Sequence, residues 1–428
     1  MTKNVLVAQS GGPSPVINNS LRGVVEACRA YPSKFGTVYG GWHGIEGVLR
    51  EELIDVSAQP EREIALLATT PAAGAIGTCR YKLKESQHED FERIIEVFKA
   101  HNIGYFFYIG GNDSMDTANK VSLLAKQHKL DLTVVGIPKT VDNDVGDQEF
   151  KLLDHTPGYG SVARYWANTI QNANQESIGC CTHNPVIVLQ GMGRRTGFIP
   201  AAARLGDPKR EMPLHIYLPE SKLTIEDIGD NVSDELKRSG RCIVVISEGF
   251  DVGEFGAQRD RFGHIDYNAS ETTVSQVLIN YLNKKKLSIY GPVWGNVSGL
   301  EQRMVSIYAS TVDLEEAFQV ARHAIEVALH SGTGWMANIL RKPGDTYEAY
   351  YDKVPLEVVA NADRQIPQHW LAKNRYDLTD DFIKYARPLI GEQWVKTPLE
   401  NGLQRFARFK KVFAEKRCKE YVPETYRQ

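Results

Sequence analysis

Two short polar segments carry the residue types that phosphoryl transfer requires. The first is Gly110–Asp113, with the sequence Gly-Gly-Asn-Asp, and the second is Pro138–Asp144, with the sequence Pro-Lys-Thr-Val-Asp-Asn-Asp; each follows an apolar, strand-like run. Turns at the carboxyl ends of parallel strands are where open α/β proteins bind ligands, and a helix N-terminus after such a turn attracts anions. Backbone amides and the Lys139 cation could bind a phosphate, and of the two carboxylates Asp142 and Asp144 one could bind a metal and one could serve as base for an acceptor hydroxyl. This combination indicates phosphoryl transfer.

Each segment also has a purely structural interpretation. An Asp-Asn-Asp sequence is typical of a polar turn, Asp113 or Ser114 could cap a following helix, and Lys139 could be a surface lysine. The pair Gly11-Gly12 after the first apolar run lets backbone amides approach a phosphate. Taken alone, that loop favours a tight strand-to-helix turn.

The bulk composition favours a soluble globular protein with room for two lobes. The chain has 428 residues, of which 42% are hydrophobic and 24% are charged. A net charge of −3 leaves no basic footprint for nucleic acid or an anionic membrane. The six cysteines lack metal-ligand spacing, so we expect reduced thiols in a cytoplasmic protein. We find no signal-peptide layout and no apolar run of about 18 residues, so no transmembrane helix is predicted.

Strand and helix signals alternate along most of the chain. Apolar runs such as Val5–Ala8, Val186–Leu189 and Cys242–Ser247 each precede a turn and a helix-like stretch. Repeated βα units predict an α/β fold with mostly parallel sheets covered by helices. After about residue 330 the glycine-rich turns disappear, and the stretches 380–387 and 399–415 have helical character.

The two polar segments together resemble the phosphofructokinase family. Gly-Gly-x-Asp-Ser followed by Pro-Lys-Thr-x-Asp-Asn-Asp is similar to its pyrophosphate-dependent branch, because ATP-using members usually have glycine where this chain has Asp113 and Lys139. The resemblance runs from about Asn4 to about Leu329. It implies two Rossmann-like lobes that interleave in sequence, followed by a C-terminal helical extension. We expect a phosphoryl-donor lobe at 1–150, a sugar-phosphate lobe at 151–330 and a mostly helical extension at 331–428.

The resemblance implies a reversible reaction with Mg²⁺ as cofactor. A phosphoryl group would pass from pyrophosphate to the 1-hydroxyl of fructose 6-phosphate, giving fructose 1,6-bisphosphate and phosphate in glycolysis or gluconeogenesis. We expect a cytoplasmic homodimer or homotetramer with no nucleic-acid or membrane partner. One alternative is an ATP-dependent 6-phosphofructokinase, which would need room at Asp113. Another is a non-catalytic sugar-phosphate-sensing subunit, which would normally lack the base or the glycine loops.

The resemblance also implies a role for each site residue. Asp142 is the expected base, Lys139 the cation on the transferring group, and Asp113 the residue that excludes the α-phosphate of ATP. Asn112 is the expected metal ligand, although the family usually has aspartate there. The residues expected to bind the donor are Gly11, Gly12, Arg80 and Ser114. Those expected to bind the acceptor are Thr140, Asp142, Met192, Gly193, Arg194, Glu248 and Arg303.

Two further departures from the family pattern concern the acceptor phosphate. Leu300 stands where the family usually has His or Tyr, and the stretch 182–185 lacks the family's arginine. The lysines at 284–286 are candidate replacements. Without the resemblance, Arg80 and Glu248 would be interpreted as ordinary solvated loop residues.

Overall fold

The computed structural model describes residues 2–253, 256, 258, 270–285, 287, 291–360 and 363–427. The chain divides into two compact units. The first unit runs to Gly158 and resumes at Arg303–Asp363 and from Gln393 onward. The second unit comprises Tyr159–Gln302 and Arg364–Glu392.

Strands and helices alternate through most of the chain. The strands are β1 Lys3–Gln9, β2 Phe35–Gly41, β3 Leu53–Asp55, β4 Ile103–Gly110, β5 Thr133–Pro138, β6 Val186–Gly191, β7 Leu214–Tyr217, β8 Cys242–Ser247, β9 Trp294–Val297, β10 Trp335–Arg341, β11 Ala349–Pro355, β12 Leu399–Glu400 and β13 Leu403–Gln404. The helices are α1 Ile17–Ala30, α2 Ile45–Leu49, α3 Glu61–Leu66, α4 His88–Ala100, α5 Asn112–Gln127, α6 Tyr159–Cys180, α7 Phe198–Ala201, α8 Ile225–Ser239, α9 Val274–Lys284, α10 Glu301–Met304, α11 Thr311–His330, α12 Leu356–Val359 and α13 Asp380–Ala386. Among the described residues, no helix has the length and apolar character needed to cross a membrane.

The first unit is built on a seven-stranded sheet with the order β11-β10-β5-β4-β1-β2-β3. Strands β1, β2, β4, β5 and β10 run parallel, and the edge strands β3 and β11 are antiparallel to their neighbours. The apolar runs of β1, β4 and β5 are buried in the core, as their composition requires. Gln9 pairs with Ile109, and Gly110 pairs with Pro138. The carboxyl ends of these three strands therefore lie side by side.

The second unit has a smaller sheet, with the order β7-β8-β6-β9. All of its strand pairs are parallel, and Gly191 at the end of β6 is in register with Ser247 at the end of β8. Val186, Val188, Val244 and Ile246 are fully buried between this sheet and its helices. The predicted α/β fold with mostly parallel sheets is confirmed.

The part of the chain after residue 330 differs from the prediction of a mostly helical extension. Strand β10 continues the first sheet beside β5, and 364–392 belongs to the second unit. The helix expected at 380–387 is present as α13, but 399–415 contains only two short strands and irregular backbone. Charged residues of this stretch hydrogen-bond to distant parts of the same unit rather than to helical neighbours, as Arg405 does with Glu63 over 2.6 Å. A helix signal based on charge was therefore wrong in this stretch.

Candidate active site

Three loops meet at the carboxyl edge of the first unit's sheet. They follow β1, β4 and β5 and contain residues 10–13, 111–114 and 139–144. The backbone N–H of Lys139 donates to the carbonyl of Gly110 over 2.9 Å, and that of Ser10 donates to Ile109 over 2.8 Å. Gly11 has φ +79°, a conformation that favours glycine. The structure thus brings together the two polar segments and the glycine pair that the sequence singled out.

Lys139 is a buried cation at the centre of these loops. Its side chain is 2% exposed, and its Nζ donates to the carbonyl oxygen of Gly12 over 2.7 Å. Burial lowers the pKa of Lys139 to about 8, with Asp142 opposing the shift and Arg303 adding to it. The ammonium group therefore stays charged at neutral pH and faces little competing solvent, which strengthens its interaction with an anion. A surface lysine would have neither property.

Arg303 lies against the same glycine loop. A Cβ atom added at Gly12 would be only 2.6 Å from Arg303 Nη1, so the guanidinium occupies space that any side chain at position 12 would take. Arg303 was predicted to bind the acceptor, whereas Arg80 was predicted to bind the donor. Arg80 is exposed and contributes to the electrostatic field at Lys139. The positive charges of Arg80, Lys139 and Arg303 therefore act on one loop edge, an arrangement that suits a polyphosphate.

Asp113 stands in the first turn of α5 and does not cap that helix. The N-cap residue is Gly111, which makes no side-chain capping bond. The Asp113 carboxylate instead accepts a hydrogen bond from Lys82 Nζ over 2.7 Å, with 49% of the Asp113 side chain exposed. The sequence did not single out Lys82, because its partner Asp113 lies 31 residues away along the chain. The cap interpretation of Asp113 therefore loses its support.

Asn112 offers an oxygen to a cation. Its Nδ2 lies 3.5 Å from the carbonyl of Asp144, and its Oδ1 is buried without a hydrogen-bond partner among the described residues. Hard cations such as Mg²⁺ prefer oxygen ligands, so this orphaned oxygen fits the predicted metal. No group of three or more His, Cys, Asp or Glu side chains within the described part of the chain forms a metal cage. Ser114, by contrast, is buried with its Oγ packed against Gly110.

The turn that carries Asp142 is held by the segment that precedes α6. Asn143 has φ +59° and is fully buried, and its Oδ1 accepts the backbone N–H of Thr156 over 3.0 Å. Thr156 Oγ1 also donates to the carbonyl of Thr140 over 2.9 Å, while the Asp142 N–H donates to Thr140 Oγ1 over 3.1 Å. The side chain of Asn143 therefore stabilises the turn. Thr156 is a second residue that the sequence did not reveal.

A buried charge network anchors this supporting segment. His155 lies between Asp154, at 2.8 Å, and Glu316, at 2.7 Å. Burial alone would lower the pKa of His155, but Glu316 and Asp154 together raise it to about 9. The imidazolium therefore stays charged at neutral pH and ties the segment that holds the Asp142 turn to α11.

The predicted acceptor residues of the second unit also cluster. The Glu248 N–H donates to the carbonyl of Gly191 over 2.8 Å, and Glu248 Oε1 accepts the N–H of Gly193 over 3.3 Å. Ser247 Oγ donates to the carbonyl of Gly193 over 2.7 Å, so the turns after β6 and β8 are joined. Met192, Gly193 and Arg194 therefore share one strand edge with Glu248.

The candidate lysines for the acceptor phosphate are less well supported. Lys285 Nζ donates to Asp230 over 2.7 Å, and Lys286 lies outside the described residues.

The chain is similar to known proteins over nearly its whole length. The family described as Phosphofructokinase matches residues 4–326. The pyrophosphate–fructose 6-phosphate 1-phosphotransferases of Halomonas elongata and Methylococcus capsulatus are both 38% identical to the chain, covering 98% and 97% of it and 99% and 98% of their own lengths. The crystal structure of a pyrophosphate-dependent phosphofructokinase from Marinobacter aquaeolei has a TM-score of 0.87 at 37% identity, over 98% of this chain and 99% of that one. The chain belongs to the phosphofructokinase family.

Proposed function

We propose that this protein transfers a phosphoryl group reversibly from pyrophosphate to the 1-hydroxyl of fructose 6-phosphate. The observation that carries this proposal is the pair of charged residues Asp113 and Lys139 on adjacent loops of one sheet edge. Lys139 is buried on the glycine loop, and Asp113 stands in the first turn of α5. The names of the relatives support the same donor and acceptor. The second candidate, an ATP-dependent kinase, would need the space that Asp113 takes.

The chemistry follows from the charges around Lys139. The sugar 1-hydroxyl attacks the terminal phosphorus of pyrophosphate, Asp142 takes its proton, and the P–O–P bond breaks to release phosphate. Lys139 and Arg80 stabilise negative charge on the phosphoryl oxygens. Orthophosphate and the sugar bisphosphate leave, and the same groups run the step backwards with Asp142 as the acid.

The described residues also accommodate a magnesium ion. Asn112 would hold it through Oδ1, the buried oxygen that has no hydrogen-bond partner in the described part of the chain. When bound, Mg²⁺ would offset part of the negative charge of pyrophosphate. We propose no further ligand.

We also propose a cytoplasmic homo-oligomer, either a dimer or a tetramer. All six cysteines lie in described parts of the chain and are free thiols, as expected in a reducing compartment. Trp294 and Val297 on β9 expose 55% and 37% of their surface, and contact with another subunit would bury this apolar area. Sedimentation at micromolar concentration tests the oligomeric state.

A two-donor assay tests the proposed reaction. The purified protein should convert fructose 6-phosphate with pyrophosphate and hardly at all with ATP, and fructose 1,6-bisphosphate with phosphate should yield pyrophosphate. Asp113→Gly should let ATP bind, because it removes both a side chain and a charge. Asp131→Gly, at the exposed start of the β5 segment, is the matched control and should not. A wild type that prefers ATP would contradict the proposal, and a protein that binds fructose 6-phosphate without turnover would be the sensing subunit.

A further inference from the structure

The segment formed by residues 421–427 packs against the loop that carries Arg80. It lies beyond residues 4–326, the part of the chain that the family description covers. We call residues 421–427 the tail segment and residues 78–84 the donor loop. Both belong to the first unit, together with the glycine pair and Asp113.

Tyr81 is the point of contact on the donor loop. Its side chain is 2% exposed, although its neighbour Arg80 is exposed. The Tyr81 hydroxyl donates to Asp90 and accepts hydrogen bonds from Gln87 Nε2, at 2.8 Å, and from the backbone N–H of Thr425, at 3.3 Å. Burial and then Asp90 raise the pKa of Tyr81, so the hydroxyl remains a donor at any working pH. The tail segment thus supplies a partner of the hydroxyl through the backbone of Thr425.

Asp90 belongs to the same hydrogen-bond network and also contacts the tail segment. Its side chain is fully buried, and Oδ1 accepts hydrogen bonds from the Tyr421 hydroxyl, at 2.7 Å, and from the Glu424 N–H, at 3.0 Å. Glu424 Oε1 accepts the N–H of Asp90 in return, over 3.1 Å. A buried carboxylate is stable only when its oxygens are satisfied. Without the tail segment, Asp90 would lose two hydrogen-bond donors, and the position of the Tyr81 side chain would be held less firmly.

Both ends of the donor loop touch the donor site. Thr78 Oγ1 donates to the carbonyl of Gly11 over 2.9 Å, and the Gly11 N–H donates to the carbonyl of Cys79 over 2.8 Å. On the other side of Tyr81, Lys82 binds the Asp113 carboxylate. A displacement of Tyr81 would therefore move both the proposed phosphate ligand Arg80 and the partner of Asp113.

We infer that the tail segment is a positioning element of the pyrophosphate site, acting through Tyr81 to fix the side chains of Arg80 and Lys82. This inference rests on the proposed reaction. It assigns a role in donor binding to residues outside the family-matched region. Tyr81 and Tyr421 are positioning residues in this scheme, since neither is placed to touch the donor.

The test combines Tyr81→Phe with a chain that stops after Glu420. Each change should raise KM for pyrophosphate roughly two- to tenfold, the effect of losing about one net hydrogen bond, with KM for fructose 6-phosphate unchanged. Because both act through one hydroxyl, the double variant should be little worse than the poorer single variant. Tyr421→Phe, which removes only the bond to Asp90, should show a smaller change in the same direction. Calorimetric titration with pyrophosphate and Mg²⁺ gives the same comparison without turnover.

The controls separate this inference from the proposed reaction and from simple unfolding. Arg408→Ala removes an exposed side chain from the same C-terminal stretch, away from the donor loop, and should leave both KM values unchanged. Thermal unfolding of each variant shows whether it remains folded at the assay temperature. If wild type does not turn over pyrophosphate, the proposed function fails and this inference falls with it. If wild type is active but the variants leave KM for pyrophosphate unchanged, raise both KM values equally, or add their effects independently, the positioning role is wrong.

Discussion

The lowered pKa of Lys139 makes the pH dependence of the pyrophosphate reaction a direct test of the site. With a pKa of about 8, the side chain is charged below that pH and neutral above it. Roughly nine-tenths of the molecules carry the charge at pH 7 and roughly one-tenth at pH 9. Because kcat/KM reports the free enzyme, kcat/KM for pyrophosphate should fall about tenfold over this range. A bound anion favours the charged form, so kcat should fall at a higher pH than kcat/KM.

Substitution of Lys139 separates the charge of the enzyme from that of the substrate. Pyrophosphate itself titrates, so each variant is compared with wild type at the same pH. Lys139→Arg keeps a charge at every pH and should lower activity overall while removing the fall above pH 8. Lys139→Met should lose about 100- to 1000-fold in kcat, the range for one transition-state donor, and its residual activity should lack the wild-type fall.

The assay measures fructose 1,6-bisphosphate formation from pH 6.5 to 9.5 at saturating Mg²⁺. Lys126→Met, a substitution at an exposed lysine near the end of α5, is the control and should follow wild type. If wild type and Lys139→Arg decline in parallel above pH 8, Lys139 does not titrate in the reaction. The buried ammonium would then have a structural role, stabilising the glycine loop through its bond to the Gly12 carbonyl.

Three other substitutions test the remaining roles. Asp142→Asn should lower kcat in both directions by about 100- to 10,000-fold; a change of only a few-fold would mean another base. Asn112→Asp should lower the Mg²⁺ concentration for half-maximal rate, because a carboxylate replaces an amide oxygen; an unchanged midpoint would place the ion elsewhere. Arg303→Ala should raise KM for fructose 6-phosphate more than KM for pyrophosphate; the reverse would assign this arginine to the donor, beside the glycine loop against which it lies.

The parts of the fold that came from the sequence are those governed by local pattern. Buried parallel strands must be apolar on both faces, so the runs ending at Ala8, Ile109 and Ile137 were visible as strands. Parallel strands place their carboxyl ends on one edge of a sheet, which made the turns after them candidate ligand sites. The family resemblance then assigned the glycine pair, Asp113 and Lys139 to one donor site. The site loops were predictable because each follows directly from such a strand.

The features that escaped prediction depend on contacts between distant residues. Lys82 looks like any loop lysine until its Asp113 partner, 31 residues away, is known. Thr156 supports the Asp142 turn through hydrogen bonds that cannot be predicted from the spacing of residues in the sequence. The stretch after residue 399 has the charges of a surface helix, but those charges meet buried acids such as Glu63 in the first unit. Local periodicity contains no information about such partners.

The partnership of Lys82 and Asp113 changes how donor selection should be understood. Asp113 is half exposed and paired, and exposed ion pairs of this kind carry only about 0–1 kcal/mol of net interaction. Its charge alone is therefore a weak barrier to ATP, and it would act on pyrophosphate as well. The volume of the side chain, held in place by Lys82, is the stronger discriminator. Asp113→Asn keeps that volume and removes the charge, so it should continue to reject ATP, whereas Asp113→Gly should admit it. If both variants bind ATP equally well in a competition assay, the charge of Asp113 rather than its volume selects the donor. Lys82 would then reduce the effect of that charge instead of holding the Asp113 side chain in position.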